Sequence, residues 1–265
     1  MLLTSVILVL REVLEAALLF SLLMALSRRV GISCRWVWVA LAMGLLGAAI
    51  YGFNIDLVSE WFDGVGQEVV NAFLQIAMYV MLCVIAALAV RRSRGLPMLD
   101  TQMSVLMASS ILIAITREGS EILIYLSGFL QARDQLLPVL TGSVIGAGIG
   151  VSVGAVFYYA LLSLSRRVAV ITGSILFVLV AAGMAAQAAQ LFIQADWLPS
   201  QYPLWDTSWL ISEQSVTGQL LYALISYEAS PTPLQLAVHM SSVALLALVT
   251  LFFGYMTSGK RKPDA

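Results

Sequence analysis

Seven stretches of this chain, roughly 2–27, 36–56, 69–90, 103–130, 138–164, 168–194 and 233–257, each stay apolar for about the 20 residues that a helix needs to cross a bilayer. In lipid every backbone N–H and C=O must be satisfied within the segment, so such runs read as helices. Composition supports this: 60% of residues are hydrophobic and 11% charged, where a soluble domain carries about 25% charged. A water-soluble enzyme is excluded. The balance of 14 basic and 15 acidic residues also argues against nucleic-acid binding, which needs a basic face. Cys34 and Cys83 are too few for a disulfide framework or a zinc cluster. The first run does not read as a signal peptide, because it lacks a basic start and is interrupted by Arg11, Glu12 and Glu15.

Loop charges orient the spans. Arg28, Arg29, Arg35, Arg91, Arg92, Arg94, Arg166, Arg167, Lys260, Arg261 and Lys262 all fall on alternate connections, whereas the opposite connections hold Arg133 alone. Asp56, Glu60, Asp63, Glu68, Asp134, Asp196, Asp206, Glu213 and Glu228 lie on the arginine-poor side. The N-terminus is therefore expected outside and the C-terminus in the cytoplasm.

A duplication runs through the chain. Arg11-Glu12-Val13-Leu14-Glu15 in the first run returns 106 residues later as Arg117-Glu118-Gly119-Ser120-Glu121 in the fourth. The second run carries Ala40, Gly44, Ala48 and Gly52, and the fifth carries Gly142, Gly146, Gly150 and Gly154. Small residues at every fourth position let membrane helices approach closely. Three spans is an odd number, so the two copies run in opposite directions. This is an inverted-repeat plan, which in transporters sets sites near the midplane. The expectation is an all-α integral membrane protein with seven transmembrane helices: two inverted three-helix repeats plus a seventh helix. Residues 1–265 would form one transmembrane domain, with repeat 1 at about 1–95, repeat 2 at about 100–195, an external loop at about 195–232 and helix 7 at about 233–257.

A charge at the bilayer centre costs about 2.5–3.5 kcal/mol on insertion scales, yet six occur in the first and fourth runs. With Arg11 at zero on a helical wheel, Glu12 lies at about 100° and Glu15 at about 40°, so one face holds all three, and the second string repeats that arrangement. Structural ion pairs account for one arginine and one glutamate per helix. They do not account for four carboxylates, Glu12, Glu15, Glu118 and Glu121, against two compensating guanidinium groups, Arg11 and Arg117. Buried surplus charge is neutralised by protonation or by a cation, and the excess favours a cation site. Carboxylates are hard donors, and neither string holds His or Cys, which leaves iron, manganese, magnesium and calcium open.

Two R-E-x-x-E strings in the first and fourth of seven spans resemble the oxidase-dependent high-affinity iron permease family, in its bacterial branch. The resemblance covers nearly the whole chain, including Asp206-Thr207-Ser208 through Glu213, Leu220, Leu221 and Tyr227. It implies an iron permease of the cytoplasmic (inner) membrane, carrying ferric iron as substrate and holding no prosthetic group. Glu12, Glu15, Glu118 and Glu121 would bind and pass the metal, and an extracytoplasmic oxidase or iron-delivery protein would be the partner. Two positions depart from the family pattern. Val13 stands where glycine is common, which is expected to narrow the path or shift ion choice, as some relatives are linked to lead. Ser226 precedes Tyr227 where glycine is usual.

Glu68, Asn71 and Gln75 at the outer end of the third run match Gln187, Gln190 and Gln194 at the outer end of the sixth. With Asp206 and Glu213 of the last loop they form the candidate access path, since clustered acids concentrate cations. Trp197, Trp205, Trp209 and Tyr202 read as an interfacial belt. His239 reads as a packing residue. Permeation of another divalent metal such as lead or manganese is the alternative within transport. The rivals outside it are a membrane carboxylate-metal enzyme, which a duplicated inverted site suits poorly, and a cation sensor, which would be expected to add a cytoplasmic domain beyond the tail at 260–265.

Overall fold

The computed structural model describes residues 1–93, 100–130 and 132–258. Arg94, Lys260, Arg261 and Lys262, counted above for orientation, lie outside the described residues. Each apolar run is helical. The helices are α1 (Leu2–Arg29), α2 (Trp36–Phe53), α3 (Ile55–Ser59), α4 (Gly66–Ser93), α5 (Asp100–Ser127), α6 (Arg133–Ser163), α7 (Arg166–Gln194), α8 (Val216–Ile225) and α9 (Pro233–Ser258). Among the described residues there is no strand. A short 3-10 turn, Trp61–Gly64, links α3 to α4. The second run stops short of its expected end because Asn54 turns the chain into α3.

Five segments are long and apolar enough to cross a membrane: Trp36–Phe53, Gly66–Ser93, Asp134–Ser163, Arg167–Gln194 and Pro233–Phe253. The helices α1 and α5, each of 28 residues, carry the charged strings instead. Large side chains such as Trp38, Val144, Ile149 and Leu251 are exposed on the outside of the bundle. A soluble protein hides such residues, but in a bilayer they meet lipid. The chain is an all-helical integral membrane protein.

The pairing of helices is crossed. The most extensive contacts join α1 to α6 and α2 to α5, followed by α4 to α7. Small residues make the first two possible. A Cβ on Gly142 would meet Leu2 O at 2.5 Å, one on Gly146 would meet Val6 O at 2.5 Å, and one on Gly154 would meet Ala17 Cβ at 2.7 Å. The contacts advance together along both helices, so α1 and α6 run parallel. On the other side Gly44 lies against Ile115, Gly47 against Thr116 and Gly52 against Leu123, again in parallel. Val13 belongs to the first seam: a Cβ on Gly150 would meet its Cγ1 at 2.9 Å. The expectation that Val13 narrows a path is therefore corrected, because its side chain packs on α6.

The arginine-bearing ends gather at one end of the bundle. Arg29 Nη2 donates to Leu161 O at 2.8 Å, Arg92 Nε donates to Val30 O at 2.7 Å, and Arg92 also pairs with Asp100. These contacts unite the C-terminal ends of α1, α4 and α6 with the start of α5.

The seam yields a paired test. Gly146→Ala drives a methyl into the backbone of α1, which cannot yield, and is expected to destabilise by about 1–3 kcal/mol. Gly148, two residues on, has nothing within 4 Å of its Cβ position, so Gly148→Ala is expected to be neutral or to gain up to about 1 kcal/mol of helix propensity. Denaturation of the purified protein in detergent measures both.

Candidate metal centre

The two charged strings meet where α1 packs on α5. Glu12, Glu15, Arg117 and Glu118 are buried, and Glu121 is partly so. One carboxylate oxygen from each of Glu12, Glu118 and Glu121 can be chosen so that all three lie within 4.8 Å of one another. Glu118 Oε2 is buried with no hydrogen-bond partner among the described residues. Three carboxylates at that separation repel unless a proton or a cation joins them. All-oxygen donors of this kind suit hard or borderline metal ions.

Glu15 is held apart from that trio. Its Oε1 accepts from Arg11 Nε at 3.5 Å. Its Oε2 lies 3.7 Å from Arg117 Nη1 and accepts from Gln187 Nε2 at 3.3 Å. Gln187 in turn accepts from Gln75 Nε2. The sequence places Gln75 and Gln187 at outer helix ends, but Gln75 lies nine residues into α4, about 14 Å from its start. Both are buried and linked to the charged cluster.

The two strings are not equivalent, which corrects the expectation of one repeated arrangement. Arg117 has a side chain only 8% exposed. It pairs with Glu118, with Glu15 of the other string, and with Glu121 at an Nε to Oε1 distance of 3.5 Å. Arg11 is 45% exposed and turns outward, with its guanidinium 4.5 Å from the ring centroid of Tyr222 on α8. The wheel angles are the same, but α8 offers Arg11 an aromatic face, whereas Arg117 is paired with carboxylates.

The other access candidates are dispersed. Asn71 Oδ1 accepts from Tyr51 Oη at 3.2 Å, Glu68 is half-buried and Gln194 is exposed. Asp206 is exposed, and its Oδ1 accepts from the Ser208 N–H and hydroxyl, which hold its carboxyl below the usual range. Glu213 Oε1 accepts from Ala229 N at 2.6 Å. Glu213 and Gln190 share a polar cavity with Arg11, Gln219, Tyr222 and Glu228. Burial holds the Glu228 carboxyl above its ordinary value. Tyr222 and Gln219 were not found from the sequence. Their three-residue spacing on one face of an apolar helix was the available signal.

Ser226 ends α8 at φ 52° and ψ 43°, in the left-handed region, where glycine is free and other residues pay about 1–2 kcal/mol. Its hydroxyl occupies the space where a Cβ on Gly183 would lie. Glycine at 183 thus makes room for serine at 226.

A charged, carboxylate-rich centre enclosed by membrane helices defines the class: a membrane protein with ionisable groups where lipid-facing chains carry none. A family model matches residues 2–263, and the chain belongs to the Iron permease FTR1 family. Members of that family are permeases rather than enzymes. Among similar proteins are those named Ferrous iron permease EfeU of Escherichia coli O157:H7 and of Shigella sonnei, each 27% identical over 249 residues, 88% of this chain and 89% of theirs. Another of that name, from Yersinia pestis, is 24% identical over 258 residues, 92% of this chain and 90% of its own. No solved structure matches the chain.

The unequal arginines generate a prediction. Arg117→Gln leaves buried carboxylates unpaired and is expected to cost about 3–5 kcal/mol in chelator. Arg11→Gln removes a partly solvated pair and is expected to cost no more than about 1 kcal/mol. Denaturation curves in detergent compare them, and equal losses would restore the equivalence of the two strings.

Proposed function

We propose that this chain is an iron permease of the cytoplasmic membrane, and that iron crosses through the carboxylates gathered between α1 and α5. The observation that carries the reading is the trio Glu12, Glu118 and Glu121, drawn from both strings. A cation joins them, and Arg11 and Arg117 offset part of the charge so that the ion is also released. Glu15 acts beside the trio as the link between the two arginines and Gln187.

In this reading seven helices span the bilayer: α1, α2, α4, α5, α6, α7 and α9. The first six form two inverted repeats. The crossed, parallel pairing of α1 with α6 and α2 with α5 supports it, because a two-fold axis in the membrane plane relates those two contacts. The N-terminus is outside and the C-terminus cytoplasmic, as the gathering of arginine-bearing ends supports. Iron approaches from the loop side by way of Glu68, Asn71, Gln75, Gln187, Gln190, Gln194, Asp206 and Glu213, delivered by an extracytoplasmic oxidase or iron-carrying protein. The hard donor set favours ferric iron. Ferrous iron is the second reading, on the names of the similar EfeU proteins.

Uptake into proteoliposomes tests the reading, with ferrous ion under argon, ferric citrate, manganese and lead offered separately. Iron uptake is expected, and Glu12→Gln, Glu118→Gln and Glu121→Gln are each expected to reduce it beyond the about 10–100-fold that loss of an outer-sphere partner costs. Glu15→Gln is expected within that range. Normal uptake by all three trio variants would return the cluster to a structural role. For topology, Cys34 is expected to label from the cytoplasmic face and Ser212→Cys from outside, and labelling of both from one face would overturn the seven-span arrangement.

A further inference from the structure

The polar cavity beside the centre lies between α1, α7, α8 and the chain on either side of α8. Its lining is Arg11, Gln190, Glu213, Gln219, Tyr222 and Glu228, and its volume is about 90 Å³. Glu213 Oε1 accepts from Ala229 N, and Glu228 Oε1 accepts from Gln235 Nε2 in the first turn of α9. Their Oε2 atoms are not used in those contacts. Gln219 is only 5% exposed, and its Oε1 has no hydrogen-bond partner among the described residues. A buried carbonyl oxygen without a donor is a position where a ligand belongs. Two carboxylates, two amide oxygens and a phenol form an all-oxygen set of the kind that hard cations prefer.

We propose that this cavity is a second metal-cation site, a waiting position on the loop side of the central carboxylates, with Arg11 as the divider between the two. The proposal rests on the permease reading above. Arg11 is the residue that belongs to both places: it pairs with Glu15 at 3.5 Å and its guanidinium lies over Tyr222 in the cavity wall. A cation entering the cavity repels the guanidinium toward Glu15, and that movement opens the way to the trio. The volume limits the occupant. A cavity of this size has room for a few water-sized groups. It therefore takes a metal ion with part of its hydration.

The test is the concentration dependence of iron uptake into proteoliposomes, with ferrous ion under argon and ferric citrate in parallel. Glu213→Gln combined with Glu228→Gln removes both charges and keeps the oxygens that accept the loop hydrogen bonds. The expected result is a half-saturating iron concentration raised by about tenfold or more, equivalent to about 1.4 kcal/mol of ion binding. The maximal rate is expected to fall by no more than about threefold, since the central site is intact. Gln219→Leu is expected to shift half-saturation in the same direction, and it carries the test should the double variant not fold. Glu12→Gln is expected to lose maximal rate instead. Unchanged half-saturation in both outer variants would overturn the second site while leaving the permease reading in place. So would a loss confined to maximal rate. Absence of iron uptake by the unaltered protein would overturn the permease reading and this site with it.

Discussion

Everything in this molecule is arranged around one electrostatic imbalance. Four glutamates and Arg117, with Arg11 at the margin, are brought together in a helix bundle whose exterior suits lipid, and no arrangement of those six groups is neutral with all of them ionised. The chain reduces the imbalance unevenly. Arg117 lies deep and meets acids from both strings, so one guanidinium does most of the neutralising. Glu15 is drawn out of the carboxylate group by that contact and by Gln187. What is left, Glu12 with Glu118 and Glu121, is short of positive charge. A buried site that remains short of charge either shifts its protonation or holds a cation.

Much of this was legible in the residues before any coordinates. The apolar runs gave the helices because lipid permits little else, and the period of four in glycine and alanine marked the faces that touch. The charged strings marked the centre because ionised groups in lipid are rare unless used. What the residues did not reveal is which copy of a duplicated string lies deeper. That depends on α8, a ten-residue helix inside the last loop, which places Tyr222 over Arg11 and leaves Arg117 to the acids. Depth along a helix was also misjudged for Gln75 and Gln187, because a polar residue near an apolar run reads as its end. In the fold Gln75 donates to Gln187, and Gln187 donates to Glu15.

The two departures from the family pattern have separate explanations. Val13 lies on the far side of α1 from the charged face, against Gly150, where its bulk is accommodated by a missing side chain on the neighbour. Ser226 adopts a backbone conformation natural to glycine, and Gly183 supplies the space for its hydroxyl. Both substitutions bear on packing, and neither side chain joins the carboxylate group.

The crossed pairing of helices also governs how the chain is assembled. As synthesis proceeds, α1 and α2 are made before the surfaces that will receive them exist, since α1 awaits α6 and α2 awaits α5. The glycine seam of α2 and the facing surface of α1 wait for helices that lie later in the chain, and Glu15 meets Arg117 only once α5 has been made. The carboxylate centre closes only when α5 lies alongside α1.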